Sequence, residues 1–191
     1  MSETDHPAGP RSAVRLVDNM RFRQTFRRIP APVAVVLVAT ANGGTTGITC
    51  TSAQSLSAEP PMAVVAIDDK TGLVPLIRHA GRFSINYLAA DRSNWADAFS
   101  ARGADLAELA DIIVPGRTSV PTFATGTTAV LECASAEIHP GGDHWIVSGA
   151  IAHARFQADA EPLLYRAGAY GAFRPGGDSV RSDHAAVVPT G

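Results

Sequence analysis

Five hydroxyl residues crowd one stretch of the chain, Thr49, Thr51, Ser52, Ser55 and Ser57, which runs on into Glu59-Pro60-Pro61. At a strand end, hydroxyls beside exposed backbone N–H groups can hold a phosphate or the polar edge of a ring without formal charge; the same run also suits the polar face of an ordinary strand. A second group, Ile67-Asp68-Asp69-Lys70-Thr71-Gly72, closes a strand-like run and opens a helix-like one. Free N–H groups and the Thr71 hydroxyl there suit an anion, or simply cap a helix. Lys70 is the single lysine among 16 basic residues. Gly142-Asp143-His144 follows a Pro-Gly turn and opens another strand, which sets His144 at a sheet rim with Asp143 beside it, in a functional or a structural role. Pro162-Leu163-Leu164-Tyr165-Arg166, with Tyr170 close behind, gathers aromatics and a cation that can stack on a flat ring or fill a core.

Other chemistries find no support. The segment Gly43-Gly44-Thr45-Thr46-Gly47 is not a Gly-x-Gly-x-x-Gly fingerprint, and neither a Gly-Lys-Ser/Thr phosphate loop nor a Gly-x-Ser-x-Gly elbow occurs. The six histidines, at 6, 79, 139, 144, 153 and 184, show no metal-binding spacing, so no metal is expected. Cys50 and Cys133 are too few for a disulfide framework and read as small core residues. A net charge of −2 offers no basic field for a nucleic acid. The longest apolar runs, residues 33–39 and 62–67, are strand-sized and far short of the roughly 20 residues of a membrane helix. The first ten residues carry acids, His, Pro and Gly in place of a secretory signal, so the expected location is cytoplasmic.

The 191 residues suffice for one domain with a continuous core. Residues 1–15 and 174–191 lack apolar periodicity and read as flexible tails around a body over 16–173. Asp18 caps a first helix whose Phe22, Phe26 and Ile29 fall at helical spacing, ending near Pro30. Residues 33–39 form a strand that turns at Asn42-Gly43-Gly44 into a partner over 46–51. Strands follow at 62–67 and 83–88 with a short helix between them over 72–79. A further helix capped by Asp91 or Ser93 runs through Trp95, Phe99 and Arg102 to Gly103. Residues 104–118 carry no clear pattern, and 129–138, 144–156 and 163–173 are long strands. Six or seven strands joined mostly by hairpins, with three short helices, predict a mainly β chain closed into a small barrel with helices outside.

The order and spacing of these segments carry more than any one of them. Gly47-Ile48-Thr49-Cys50-Thr51-Ser52, Ser55-Leu56-Ser57-Ala58-Glu59-Pro60-Pro61, Ile67-Asp68, Phe83-Ser84-Ile85-Asn86-Tyr87-Leu88, Gly142-Asp143-His144 and Pro162-Leu163-Leu164-Tyr165 follow one another in a way that resembles the flavin reductase-like family. These are the reductase partners of two-component flavin-dependent monooxygenases, and the resemblance covers about residues 26–173.

The resemblance implies an FMN-binding split β-barrel, Greek-key-like, that transfers a hydride from NADH or NADPH to FMN or FAD and releases reduced flavin to a partner monooxygenase. It implies a homodimer as well. Matched residue by residue, it places Thr49, Cys50, Thr51, Ser52 and Ala53 along the isoalloxazine and ribityl side. Asp68, Asp69, Lys70 and Thr71 fall by the ribityl and phosphate region, and Phe99, Ser100 and Arg102 by the phosphate. His144 is implied as the catalytic-site histidine on the nicotinamide side, with Tyr170 bordering the same space. Pro32 stands where the family usually has Gly, and Ala53 where it has a larger apolar residue. The first removes a backbone donor and the second leaves space. A flavin-holding electron-transfer or storage protein without turnover, and a split-barrel oxidoreductase acting on another substrate, as in the related pyridoxamine-phosphate oxidases and deazaflavin enzymes, stay open, since fold does not fix function.

Overall fold

The apolar run after Pro32 alternates between two environments, which explains why it has no polar face. Val33, Val35 and Leu37 point to one apolar cluster and Ala34, Val36 and Val38 to another, all essentially inaccessible to water. A strand covered on both sides reads as a continuous hydrophobic stretch rather than an alternating one.

In the computed structural model, residues 15–100 and 107–174 are described. Most of both expected tails, and Arg102 with Gly103, lie outside them. The elements run α1 (Asn19–Phe26), β1 (Ala31–Pro32), β2 (Ala34–Ala39), β3 (Thr45–Cys50), β4 (Gln54–Ala58), β5 (Pro61–Asp68), α2 (Leu73–Ala80), β6 (Phe83–Leu88), α3 (Ser93–Ser100), β7 (Ile113–Pro115), β8 (Pro121–Phe123), β9 (Thr127–Gly141), β10 (His144–Phe156), β11 (Leu163–Arg166) and β12 (Ala169–Ala172). The chain is mainly β, as expected. Asp18 caps α1, its carboxylate accepting from the Arg21 N–H at 2.7 Å. The β2–β3 hairpin turns through Gly43 at φ 82°, a conformation glycine adopts without steric cost.

Seven strands form one antiparallel sheet in the order β3-β2-β6-β9-β10-β5-β4. Its two edge strands, β3 and β4, are consecutive in the chain and joined by only residues 51–53, so the sheet must roll to bring its ends together. Among the described residues no strand pairing joins the two edges, so the expectation of full closure is corrected while the mainly β architecture holds. Instead the Ser52 hydroxyl bridges to β5, donating to the Ala66 carbonyl at 2.8 Å and accepting from the Ala66 N–H at 3.2 Å. Inside the roll, Val36, Val65, Ile67, Phe83, Ile85 and Val147 meet, and Leu73, Val74 and Ile77 of α2 pack into the same cluster. On the outer face of β2, Trp95 and Phe99 of α3 pack with Phe123, the two rings 5.0 and 5.7 Å from it. Of the described helices, α3 and α1 therefore lie outside the roll, whereas α2 helps to fill it.

Two further expectations are corrected, the single strand over 163–173 and the total of six or seven strands. Residues 163–173 are not one strand but the hairpin β11–β12, which turns at Ala167 and Gly168, both at positive φ. Residues 54–58 form β4, paired with β5. Residues 107–112 form a 3-10 turn, and with short strands such as β1, β7 and β8 the strand total exceeds seven. Among the described residues no helix is long and apolar enough to cross a membrane.

One buried carboxylate fastens a loop to the sheet. Glu132 on β9 accepts from the Arg117 N–H at 2.9 Å, the Thr118 N–H at 2.6 Å and the Thr118 hydroxyl at 2.7 Å. Burial pushes its pKa up, but the Thr118 and Arg117 hydrogen bonds outweigh burial and hold it below the ordinary carboxylate range. A depressed carboxylate contributes stability above its unfolded-state pKa and loses it as pH falls through the folded value. Glu132→Gln turns an amide toward those donors and is expected to cost about 1–3 kcal/mol at neutral pH. Urea unfolding checks this: the gap from the unmodified protein should narrow as pH is lowered to about 3, below the usual glutamate pKa.

Candidate functional site

The rolled sheet leaves a cavity of about 640 Å³ along β3, lined by the unbroken run 46–52, by Ala66 and Asp68 of β5, by Thr71, by Phe99 and Ser100 at the end of α3, and by His144. Seven consecutive residues line it because β3 is an edge strand, so part of its backbone has no strand partner on that side. Gly47 lets this wall lie close to the core. A Cβ there would run into the Val36 carbonyl, sit 2.6 Å from Leu37 Cδ2 and 3.3 Å from Phe99 Cδ1.

Several hydroxyls singled out from the sequence are occupied by the fold. Thr49 donates to the Ala96 carbonyl at 2.7 Å and Ser100 to the same oxygen at 2.7 Å, tying β3 to α3. Ser52 is spent on Ala66, as above. Thr71 donates to the Asp68 carbonyl at 2.8 Å and accepts from the Leu73 N–H at 3.3 Å, opening α2. The exposed Thr51 hydroxyl has no hydrogen-bond partner among the described residues and remains available to a ligand. Cys50 also lines the cavity; burial pushes its thiol up, so it stays a protonated small side chain and not a nucleophile.

His144 lines the cavity from the start of β10. Strand register sets it directly across from Asp68 of β5, at the end of the β5–β10 ladder. Its Nδ1 lies 2.7 Å from Asp143 Oδ1. The hydrogen bond from His144 and its charge hold the Asp143 carboxyl below its usual range, so Asp143 serves as an acceptor and the contact orients the ring through Nδ1. That leaves Nε2 as the ring atom open to a ligand.

The remaining candidates lie elsewhere. Ala53 is buried in the interior cluster, so it packs rather than opening space in the cavity. Asp69 and Lys70 are exposed and do not line the cavity: Asp69 Oδ1 accepts from Trp145 Nε1 at 2.6 Å. Tyr170 does not line it either. Its hydroxyl donates to Asp97 Oδ1 at 3.0 Å on α3, and burial followed by that carboxylate pushes its pKa up to about 12. Arg102 lies outside the described residues. Sequence reading missed Thr46, Gly47, Ile48 and Ala66 as lining, although Gly47-Ile48 already stood in the motif.

A second, apolar groove of about 620 Å³ adjoins the first at Thr51 and Ser52, lined by Phe22, Phe26, Ile29, Pro30, Pro32 and Tyr165 among others. It is open because α1 buries none of its residues: Phe22 and Phe26 are 51% and 58% exposed, and Ile29, just beyond the helix, is 53% exposed. Among the described residues no cluster of three potential metal ligands occurs.

Comparison with known proteins follows the same lines. The family model described as "Flavin reductase like domain" matches residues 26–174. The chain is 30% identical over 148 residues to the actinorhodin polyketide dimerase of Streptomyces coelicolor, covering 78% of this chain and 82% of that one. It is 32% identical over 159 residues to the reductase component of 4-nitrophenol 4-monooxygenase/4-nitrocatechol 2-monooxygenase of Rhodococcus opacus, covering 83% of each. Among solved structures, the NADH:FAD oxidoreductase SgcE6 of Streptomyces globisporus C-1027 in complex with NAD and FAD fragments superposes with a TM-score of 0.77 at 28% identity, over 86% of this chain and 100% of that one.

Proposed function

The chain belongs to the flavin reductase-like family, and from that premise we propose that it is an NAD(P)H-dependent flavin reductase supplying reduced FMN or FAD to a partner monooxygenase. The observation that carries this reading is the cavity between the β3 wall and His144. It is of ligand size, polar along the β3 backbone and Thr51, and floored by Phe99. These residues fit a flat heteroaromatic ring with a polar edge. Bound there, a flavin would supply the hydride-accepting centre and the nicotinamide the hydride.

The chain's own part is binding and orientation. The β3 backbone and Thr51 present donors and acceptors to a polar ring edge, and the turn 68–71 lies where a ribityl or phosphate group would emerge. His144, with its ring orientation set by Asp143, borders the nicotinamide position and narrows the geometries in which a donor can stack. Few charged side chains reach into the cavity, which favours a flavin that exchanges with solution over one permanently held. NADH consumption is therefore expected only when FMN, FAD or riboflavin is added. Flavin retained through purification with no NADH oxidation would instead indicate a storage or electron-transfer protein, and no consumption with any flavin would end the reductase reading. A reaction redirected to another substrate is the second reading, favoured by the 30% likeness to a relative named as a polyketide dimerase.

The working unit in this reading is a split-barrel homodimer. A groove of exposed Phe22, Phe26 and Ile29 that runs into the cavity at Thr51–Ser52 calls for a second surface, and a twofold copy is the commonest one. Sedimentation at micromolar concentration is expected to give a single species of twice the chain mass. A monomer that binds flavin at full stoichiometry would contradict it.

A further inference from the structure

We propose that Asp69 and Trp145, neither of which lines the cavity, form a positioning pair that holds the turn 68–71 and the His144 segment together at its mouth; the inference rests on the flavin reading above. Ladder pairing between β5 and β10 ends at Asp68 and His144. Beyond that point two bonds join the segments: the Asp69 N–H donates to the Asp143 carbonyl at 3.2 Å, and Trp145 Nε1 donates to Asp69 Oδ1 at 2.6 Å. The other hydrogen bonds of the turn among the described residues run within it or to the start of α2: Lys70 N–H to Asp68 Oδ1 at 2.8 Å, the Thr71 hydroxyl to the Asp68 carbonyl, and Leu73 N–H to the Thr71 hydroxyl.

The pair is suited to clasping. An indole N–H only donates, a carboxylate only accepts, and the ionised acceptor strengthens the bond. The Arg78 guanidinium lies 5.4 Å over the Trp145 ring, pinning it from α2, the helix that the turn opens. Asp68, Thr71 and His144 therefore face the cavity from two segments held by the end of the β5–β10 ladder, by one backbone bond and, from outside, by one side-chain bond. Asp69 acts on a ligand through its neighbours and not by contact.

The test compares Trp145→Phe, which keeps a ring and removes the donor, with Asp69→Ala, Asp69→Asn and the Trp145→Phe/Asp69→Ala double variant. Flavin affinity is read from the flavin's own fluorescence and from KM for flavin, and amide exchange of residues 68–71 and 143–145 is followed in flavin-free protein. The expected result is an approximately fivefold rise in KM and Kd for flavin in Trp145→Phe and Asp69→Ala, the double variant no worse than either, and kcat largely retained. Asp69→Asn, which retains a carbonyl acceptor, should stay near the unmodified protein. Amide exchange should quicken in both segments together. Unchanged exchange and flavin KM in Asp69→Ala, or Asp69→Asn as impaired as Asp69→Ala, would overturn the proposal. Asp69 is exposed, so its variants carry the test should Trp145→Phe fold poorly. If the unmodified protein bound no flavin, the functional reading would fall, while amide exchange would still decide the clasp.

Discussion

His144→Ala is expected to lower kcat/KM for NADH by about 10²-fold while flavin affinity changes far less. The ring lines the cavity together with the β3 run, beside Asp68 at the end of the β5–β10 ladder, and its orientation is set by the 2.7 Å contact with Asp143. Hydride transfer needs no proton at the donor carbon, so the loss is one of positioning: without the imidazole, a nicotinamide samples many stacking geometries of which few are productive. Asp143→Asn keeps an acceptor and should lose less than His144→Ala. Steady-state kinetics at saturating flavin, beside equilibrium flavin titration, separate the two effects. A collapse of flavin affinity with turnover preserved at saturating flavin would put His144 on the other side of the ring.

The second large effect is expected at Gly47. Leu37 of β2 lies opposite it in the ladder, and an added Cβ meets the Val36 backbone carbonyl and Leu37 Cδ2, with Phe99 close behind. Backbone cannot swing aside as a flexible side chain can, so Gly47→Ala must push β3 away from β2 or displace Phe99 from Phe123. Such overpacking costs about 1–3 kcal/mol, which for a chain of this size lowers the unfolding midpoint by roughly 2–4 °C per kcal/mol. Because the displaced strand is the cavity wall, flavin affinity should fall with it. Thermal unfolding without flavin, followed by flavin titration below the midpoint, reads both. An unchanged midpoint would mean that β3 has room the packing does not show.

What could be read from the sequence was what local chemistry decides. The Asp18 cap, the Gly43 turn and the strand within residues 33–39 each leave a residue-level mark, and each is found. His144 was legible because a Pro-Gly turn followed by a strand start fixes a rim position. The β11–β12 turn was not, since Ala167 holds a positive φ that alanine does not advertise. Hydroxyl types at Thr49 and Ser52 marked the right wall, but their partners, Ala96 and Ala66, come from elements that only the fold brings near. Asp69, Lys70 and Tyr170 fail as lining for the same reason: spacing places a residue near a site, and tertiary contact decides which way it faces. The family resemblance, resting on the order of several weak segments, reached further than any single motif.

The most direct measurement mixes the protein anaerobically with NADH and a small excess of FMN or FAD, then passes the mixture through an ultrafiltration membrane. The expected result is loss of the visible flavin absorbance in step with NADH oxidation, one nicotinamide per flavin, with reduced flavin recovered in the filtrate. NADH left unconsumed with FMN, FAD and riboflavin alike would contradict the assignment of this cavity to hydride transfer.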